Sequence, residues 1–177
     1  MLVRAAAAEP VTYWLQPEHT RVHWEVRHFG TSTQRGWFTA VAGSVRLDRS
    51  ARRGDVSISI DTASVSSGVR VLDNVLRSAT FLASADHPQA YFVGSNLRFD
   101  GERLSEVRGE FTLRGVSAPL SLRALNFACR MDDDSKREVC GGDFETEFRH
   151  AEFGTTIGFP FVGDKVRLLI TIEGVRE

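Results

Sequence analysis

The chain has 177 residues, 42% of them hydrophobic and 25% charged, close to the composition of an average globular domain. That balance excludes a disordered or fibrous chain, and the length suits one domain burying roughly 70% of its unfolded surface. A formal net charge of −1, from 22 basic and 23 acidic residues, argues against nucleic acid as a partner, because binding phosphates needs a basic face.

Residues 1–10 read MLVRAAAAEP and are expected to be a disordered tail, an expression remnant or the trace of a signal peptide. They lack an apolar core of the right length, yet the alanine run before Glu9-Pro10 resembles a signal-peptidase cut. The folded domain is expected over 11–177. No apolar run approaches the roughly 18–20 residues that span a bilayer, so no transmembrane segment is expected.

From there period-two alternation dominates. An opening strand is predicted at 12–15. In 21–29 the apolar side chains fall at Val22, Trp24 and Val26, with Arg21, His23, Glu25 and Arg27 between them. Val41, Val45 and Leu47 alternate likewise, and Gly43 on their face marks a bulge or a barrel corner. Val56, Ile58 and Ile60 form the next stripe.

The stretch 66–83 breaks the period. Val69, Leu72, Val75, Leu76 and Ala79 recur at helical spacing, so a short amphipathic helix is predicted, capped by Ser66 or Ser67. Phe81-Leu82 follow as an apolar lip. Further strands are predicted at 89–99, 104–113, 119–128, 144–148 and 166–172. Tight turns separate the strands, among them Asp100-Gly101 and Arg114-Gly115. About nine evenly spaced strands point to a closed antiparallel barrel or a sandwich.

Cys129 and Cys140, the only two cysteines, bracket the polar loop RMDDDSKREV. A disulfide across a hairpin neck fits them and implies an oxidising compartment; two unrelated buried thiols are the alternative. Twelve phenylalanines are present, and Phe38, Phe92, Phe111, Phe144, Phe148, Phe153, Phe159 and Phe161 recur strand after strand. They pack a filled core or wall a pocket, because an eight-stranded barrel can be filled or hold one elongated ligand.

Catalytic signals are sparse. His19 and His23 lie roughly 13 Å apart along an extended strand and His28 has the opposite parity to His23, so no metal site is expected. The sequence contains no HExxH, no Gly-x-Ser-x-Gly elbow, no P-loop and no dinucleotide fingerprint. His28 continues the inward stripe of Val22, Trp24 and Val26, so its imidazole needs a partner in the sheet or on a ligand.

With these residues in view the chain resembles the YceI family of lipocalin-like, polyisoprenoid-binding periplasmic proteins, from Tyr13 to about Glu173. Tyr13-Trp14-Leu15-Gln16-Pro17-Glu18-His19-Thr20 resembles the family's Tyr-x-Ile/Leu-Asp-x-x-His-Ser opening, with Gln16 in place of Asp. His28-Phe29-Gly30, Gly36-Trp37-Phe38 with Gly43, and Ile60-Asp61-Thr62-Ala63-Ser64-Val65 with Gly68 are similar to later family segments. Leu72-Asp73-Asn74-Val75-Leu76-Arg77-Ser78 resembles Arg-Asp-x-His-Leu-Arg-Ser, with Leu72 and Val75 as departures. The most specific piece is Gly109 to Leu120, GEFTLRGVSAPL, and Phe148-Arg149-His150-Ala151-Glu152-Phe153-Gly154 resembles the closing hairpin.

The resemblance implies an all-β fold, an eight-stranded antiparallel lipocalin-like barrel with a short helix near the mouth. It implies non-enzymatic binding or carriage of an isoprenoid lipid, a polyprenyl chain or an isoprenoid quinone, in the periplasm. Each buried CH₂ is worth about 0.8 kcal/mol, so such a tail needs an apolar tunnel and little polar help. Strand parity and the helix stripe place Trp24, Phe38, Leu76, Phe81, Phe92, Phe111 and Phe148 along that tunnel. His28, Asp73, Asn74 and Arg77 are the candidates for the polar head, Arg77 as a directed donor to a phosphate or carbonyl. No catalytic cofactor is expected beyond the bound lipid or quinone, and a homodimer is a candidate assembly. Two competing readings are an enzyme using His28 or Asp73 as acid or base on a lipid head group, and a structural stress protein whose barrel is full.

Overall fold

The structure, a computed structural model, describes residues 9–155, 158 and 160–177. The tail expected at 1–10 lies, through residue 8, outside the described residues, as does Phe159.

Eleven strand segments and one helix follow in chain order. They are β1 (Val11–Leu15), β2 (Arg21–His28), β3 (Ser32–Phe38), β4 (Val41–Asp48), β5 (Arg53–Asp61), β6 (Val65–Ser66) and α1 (Arg70–Arg77). After the helix come β7 (Gln89–Asp100), β8 (Arg103–Leu113), β9 (Val116–Met131), β10 (Glu138–Arg149) and β11 (Val162–Arg176). Every pairing is antiparallel.

The eleven segments make eight long strands. β1 and β2 are halves of one strand, broken by the 3₁₀ turn Pro17–His19, and both pair with β11. β3 and β4 form the next, pairing with β2 and β1 respectively. β5 and β6, separated by the turn Thr62–Ser64, pair with β4 and β3. β7 through β11 complete the ring by consecutive hairpins, and β11 closes on β1 and β2. Among the described residues β6 pairs only with β3, and α1 packs beside it.

Alternation explains which face is inside. Val22 and Trp24 are buried while His23 between them is exposed, and Val56, Ile58 and Ile60 repeat the pattern on β5. Outside, Glu25 joins Arg35 at 2.7 Å and Arg167 at 3.4 Å, and Glu145 joins Arg167 and Arg123, an alternating charge ladder from β3 to β9. The Arg35 hydrogen bond, opposed by partial burial, holds the Glu25 carboxyl below its usual range. No bulge falls at Gly43, whose register with β5 is unbroken; its φ is +157°, and a Cβ there would sit 2.2 Å from the Ser57 carbonyl oxygen.

Three further expectations change. β3 escapes alternation because its first five residues, Ser32 to Gly36, carry no apolar side chain and its only apolar residues, Trp37 and Phe38, are adjacent. β9 and β10 run on to Met131 and from Glu138, so both cysteines lie inside strands and face each other in register, disulfide-bonded with Cα atoms 4.0 Å apart. The helix covers only Arg70–Arg77, and Val69 and Val75 of its expected inner stripe are 55% and 44% exposed. Polar anchors set its rotation instead. The Asp73 carboxylate accepts from the backbone N–H and hydroxyl of Ser67, both at 2.6 Å, and Val69, not Ser66 or Ser67, occupies the N-cap position.

Candidate functional site

Val22, Trp24 and Val26, the inward stripe of β2, face an apolar cavity of about 120 Å³ at the end of the barrel where α1 lies. Val166 and Leu168 of β11, Phe111 and Leu113 of β8, Phe148 of β10, Ile60 of β5 and Ala90 of β7 continue the wall. Phe38 and Val65 close it on the β3–β6 side, and Leu76 of α1 with Phe81 and Leu82 beyond it complete the enclosure. Phe111 and Phe148 also pack on the buried Phe153, with ring centroids 5.3–5.4 Å apart, which fixes that side of the wall.

Backbone carbonyls hold the covering segment in place. Arg77 donates through Nε to the Ala63 carbonyl at 2.7 Å and through Nη2 to the Val65 carbonyl at 3.0 Å. Arg114 Nη1 reaches the Ala79 carbonyl at 2.9 Å and also the Phe81 carbonyl. The Thr155 hydroxyl donates to the Phe81 carbonyl at 3.3 Å.

Six of the seven expected tunnel residues, Trp24, Phe38, Leu76, Phe81, Phe111 and Phe148, line this cavity. Phe92 does not: it is buried one layer deeper. The four expected head-group residues are not among the lining side chains. Asp73 and Arg77 are engaged in docking the helix, Asn74 is exposed and accepts from Arg77 at 3.4 Å, and His28 lies beyond Val26 with its ring edge-on to Phe29 at 4.5 Å. The Ser67 hydrogen bonds hold the Asp73 carboxyl below its ordinary range, which suits a structural anion better than a proton donor.

Two polar residues of the wall were missed. His150 and Thr155 line the cavity; the imidazole Nδ1 is 2.6 Å from the Thr155 carbonyl and Nε2 is 3.1 Å from that of Gly163. Parity along β10 from Phe144 through Thr146 and Phe148 would have pointed to His150. Trp24 carries a further polar atom, enclosed in the sheet rather than shown on the cavity surface. Its Nε1 is buried without a hydrogen-bond partner, and its indole lies so close to Gly36 that a Cβ there would meet the ring at 2.3 Å.

A smaller cavity of about 40 Å³ occupies the opposite end, lined by residues including Tyr13, Leu15, Leu104, Phe127, Cys140 and Phe144. Among the described residues one group has three metal-ligand types close together, Cys129, Glu138 and Cys140, and both of its sulfurs are joined to each other. Among the described residues no helix is long and apolar enough to cross a membrane.

Comparison with known proteins agrees with this architecture. The family model described as a YceI-like domain matches residues 13–174. The chain is 29% identical over 180 residues to Protein YceI of Escherichia coli O157:H7, covering 100% of this chain and 93% of the relative. A protein of Pectobacterium carotovorum is 31% identical over 180 residues, with the same coverage of 100% and 93%. Among solved structures, Burkholderia cenocepacia BcnA superposes with a TM-score of 0.77 at 17% identity, covering 90% of this chain and 98% of that one. A polyisoprenoid binding domain from Saccharophagus degradans, implicated in plant cell wall breakdown, superposes with a TM-score of 0.68 at 13% identity, covering 93% and 98%.

Proposed function

The chain belongs to the YceI family, and on that premise we propose that it binds and carries an isoprenoid lipid, with the tail in the cavity beside α1. One observation carries the reading: a closed barrel keeps an unfilled apolar space whose walls come from seven of its eight long strands and the helix region. A filled core would close such a space, since each unfilled void costs packing contacts. An apolar ligand restores them.

The role is binding without chemistry. The Cys129–Cys140 bond supports an oxidising compartment, and the periplasm is the proposed location. The enzymatic alternative relied on Asp73 or His28, and Asp73 is already committed to Ser67.

Titration of delipidated protein with farnesol tests the proposal. Saturable one-site binding is expected, weakened on the order of 10²-fold or more by Leu76→Glu, which puts a carboxylate into the apolar wall. Absence of farnesol uptake by the wild-type protein, or equal uptake by the variant, overturns it.

A further inference from the structure

Two cavities lie along the barrel interior, and on β5, β10 and β11 the layer between them is one residue thick. On β11, Val166 and Leu168 line the upper cavity and Ile172 the lower, and Ile170 between them lines neither. On β5 the sequence is Ile60, Ile58, Val56, and on β10 it is Phe148, Thr146, Phe144, each with the middle residue outside both cavities. On β7, Ala90 belongs to the upper chamber and Leu97 to the lower, with Phe92 and Gly94 between. Ile58, Phe92 and Ile170 are all buried and belong to one contiguous core cluster.

Phe92 is the aromatic member of these four, and the sheet is built around it. It pairs with Ile58 on one side and Phe111 on the other. Its ring lies against Gly94 and Gly109, which are themselves cross-strand partners. A Cβ on Gly109 would stand 2.8 Å from the Phe92 Cζ, and one on Gly94 would stand 3.0 Å from its Cε1. The two glycines leave the space that the ring occupies. A side chain at either position would displace it.

We propose that the buried layer of Ile58, Phe92, Thr146 and Ile170 forms the floor beneath the ligand cavity and restricts this protein to short-chain isoprenoids. The inference rests on the lipid-binding reading above and narrows it to a ligand class. The upper chamber runs along β2 from Val22 to Val26, roughly 13 Å of strand at about 3.3 Å per residue. At a strand tilt near 40°, that is about 10 Å along the barrel axis, room for a short tail only. A longer tail must either leave its outer units in water or push Phe92 off the glycine pair.

The test measures affinity for geraniol, farnesol, geranylgeraniol and solanesol, in order of increasing isoprene number. In the wild-type protein each added unit tightens binding by roughly tenfold or more while it is buried, and the gain stops once the chamber is full. Phe92→Ala joins the chambers and moves that break to longer prenols. Ile58→Ala opens the same layer from the neighbouring strand with less loss of core, and Phe92→Leu gives an intermediate shift. A wild-type affinity that keeps rising through solanesol overturns the floor, whether or not the variants fold. So does a break that stays in place in a folded variant. Failure of every prenol to bind the wild-type protein overturns the lipid-binding reading itself and the floor with it.

Discussion

Phe29 and Phe161 stack with ring centroids 5.0 Å apart beyond the end of the β2–β3 hairpin, and the Phe29 backbone N–H donates to the Phe161 carbonyl at 2.6 Å. Phe29 reaches this position in a left-handed conformation, φ +51°, followed by Gly30 at φ +64°. Turns with both central residues left-handed favour Asn-Gly, and a left-handed residue with a Cβ costs roughly 1–2 kcal/mol. Both rings are more than half exposed, so their stacking sits toward the lower end of about 0.5–1.5 kcal/mol. The backbone strain wins, and Phe29→Asn is expected to hold or raise the melting temperature by a few degrees. A clear fall in thermal denaturation would show that the aromatic contact is the stronger term.

Asp73 links the helix to Ser67, and its pH response has a definite sign. Hydrogen bonds from Ser67 depress its folded-state pKa, so the unfolded chain takes up a proton first as the pH falls. The stabilisation is therefore complete above the ordinary carboxylate range and is lost as the pH drops through the depressed value. Acid titration of stability should show a shallower slope in Asp73→Asn than in wild type. Equal slopes would remove Asp73 from the acid response.

Tyr13 predicts the opposite limb. Burial, reinforced by a 2.7 Å hydrogen bond to the Glu138 carboxylate, pushes its pKa up to about 12. The unfolded tyrosine ionises near pH 10, so stability falls as the pH rises from there through about 12. Tyr13→Phe, which cannot ionise, should flatten that alkaline decline in denaturant titrations at successive pH values. An unchanged slope would contradict it.

The Cys129–Cys140 bond closes a short loop at the lower end of the barrel, with Cys140 on the wall of the lower chamber. In the chain-entropy model its reduction costs about 2–3 kcal/mol. No residue of the upper cavity lies in that loop. Reduced protein, or Cys129→Ser with Cys140→Ser, should therefore melt earlier and keep farnesol affinity within about twofold. Loss of binding in protein that remains folded would show that the two ends are coupled.

Much of this was legible in the alternation of Val22, Trp24, Val26 and of Val56, Ile58, Ile60, because a strand with one buried face writes its orientation directly into the chain. Phe111 and Phe148 could be assigned inward for the same reason, and Leu76 from the helical spacing of its stripe. The division of the interior could not. Whether Phe92 lines a tunnel or crosses it depends on the space left by Gly94 and Gly109, and Gly109 lies on a strand whose register is not written in local pattern. The expected head-group residues lie outside the cavity lining for a related reason. Asp73 and Arg77 have the right chemistry for a ligand, and the backbone groups that engage them, at Ser67, Ala63 and Val65, become neighbours only after folding.

Solvent extraction of the purified protein, followed by mass spectrometry of the extract and of the intact protein, addresses the central claim most directly. An isoprenoid bound at one molecule per chain, lost in Leu76→Glu and short enough to end above Phe92, is the expected result. Intact protein that carries no lipid, and takes up none when offered farnesol, would contradict it.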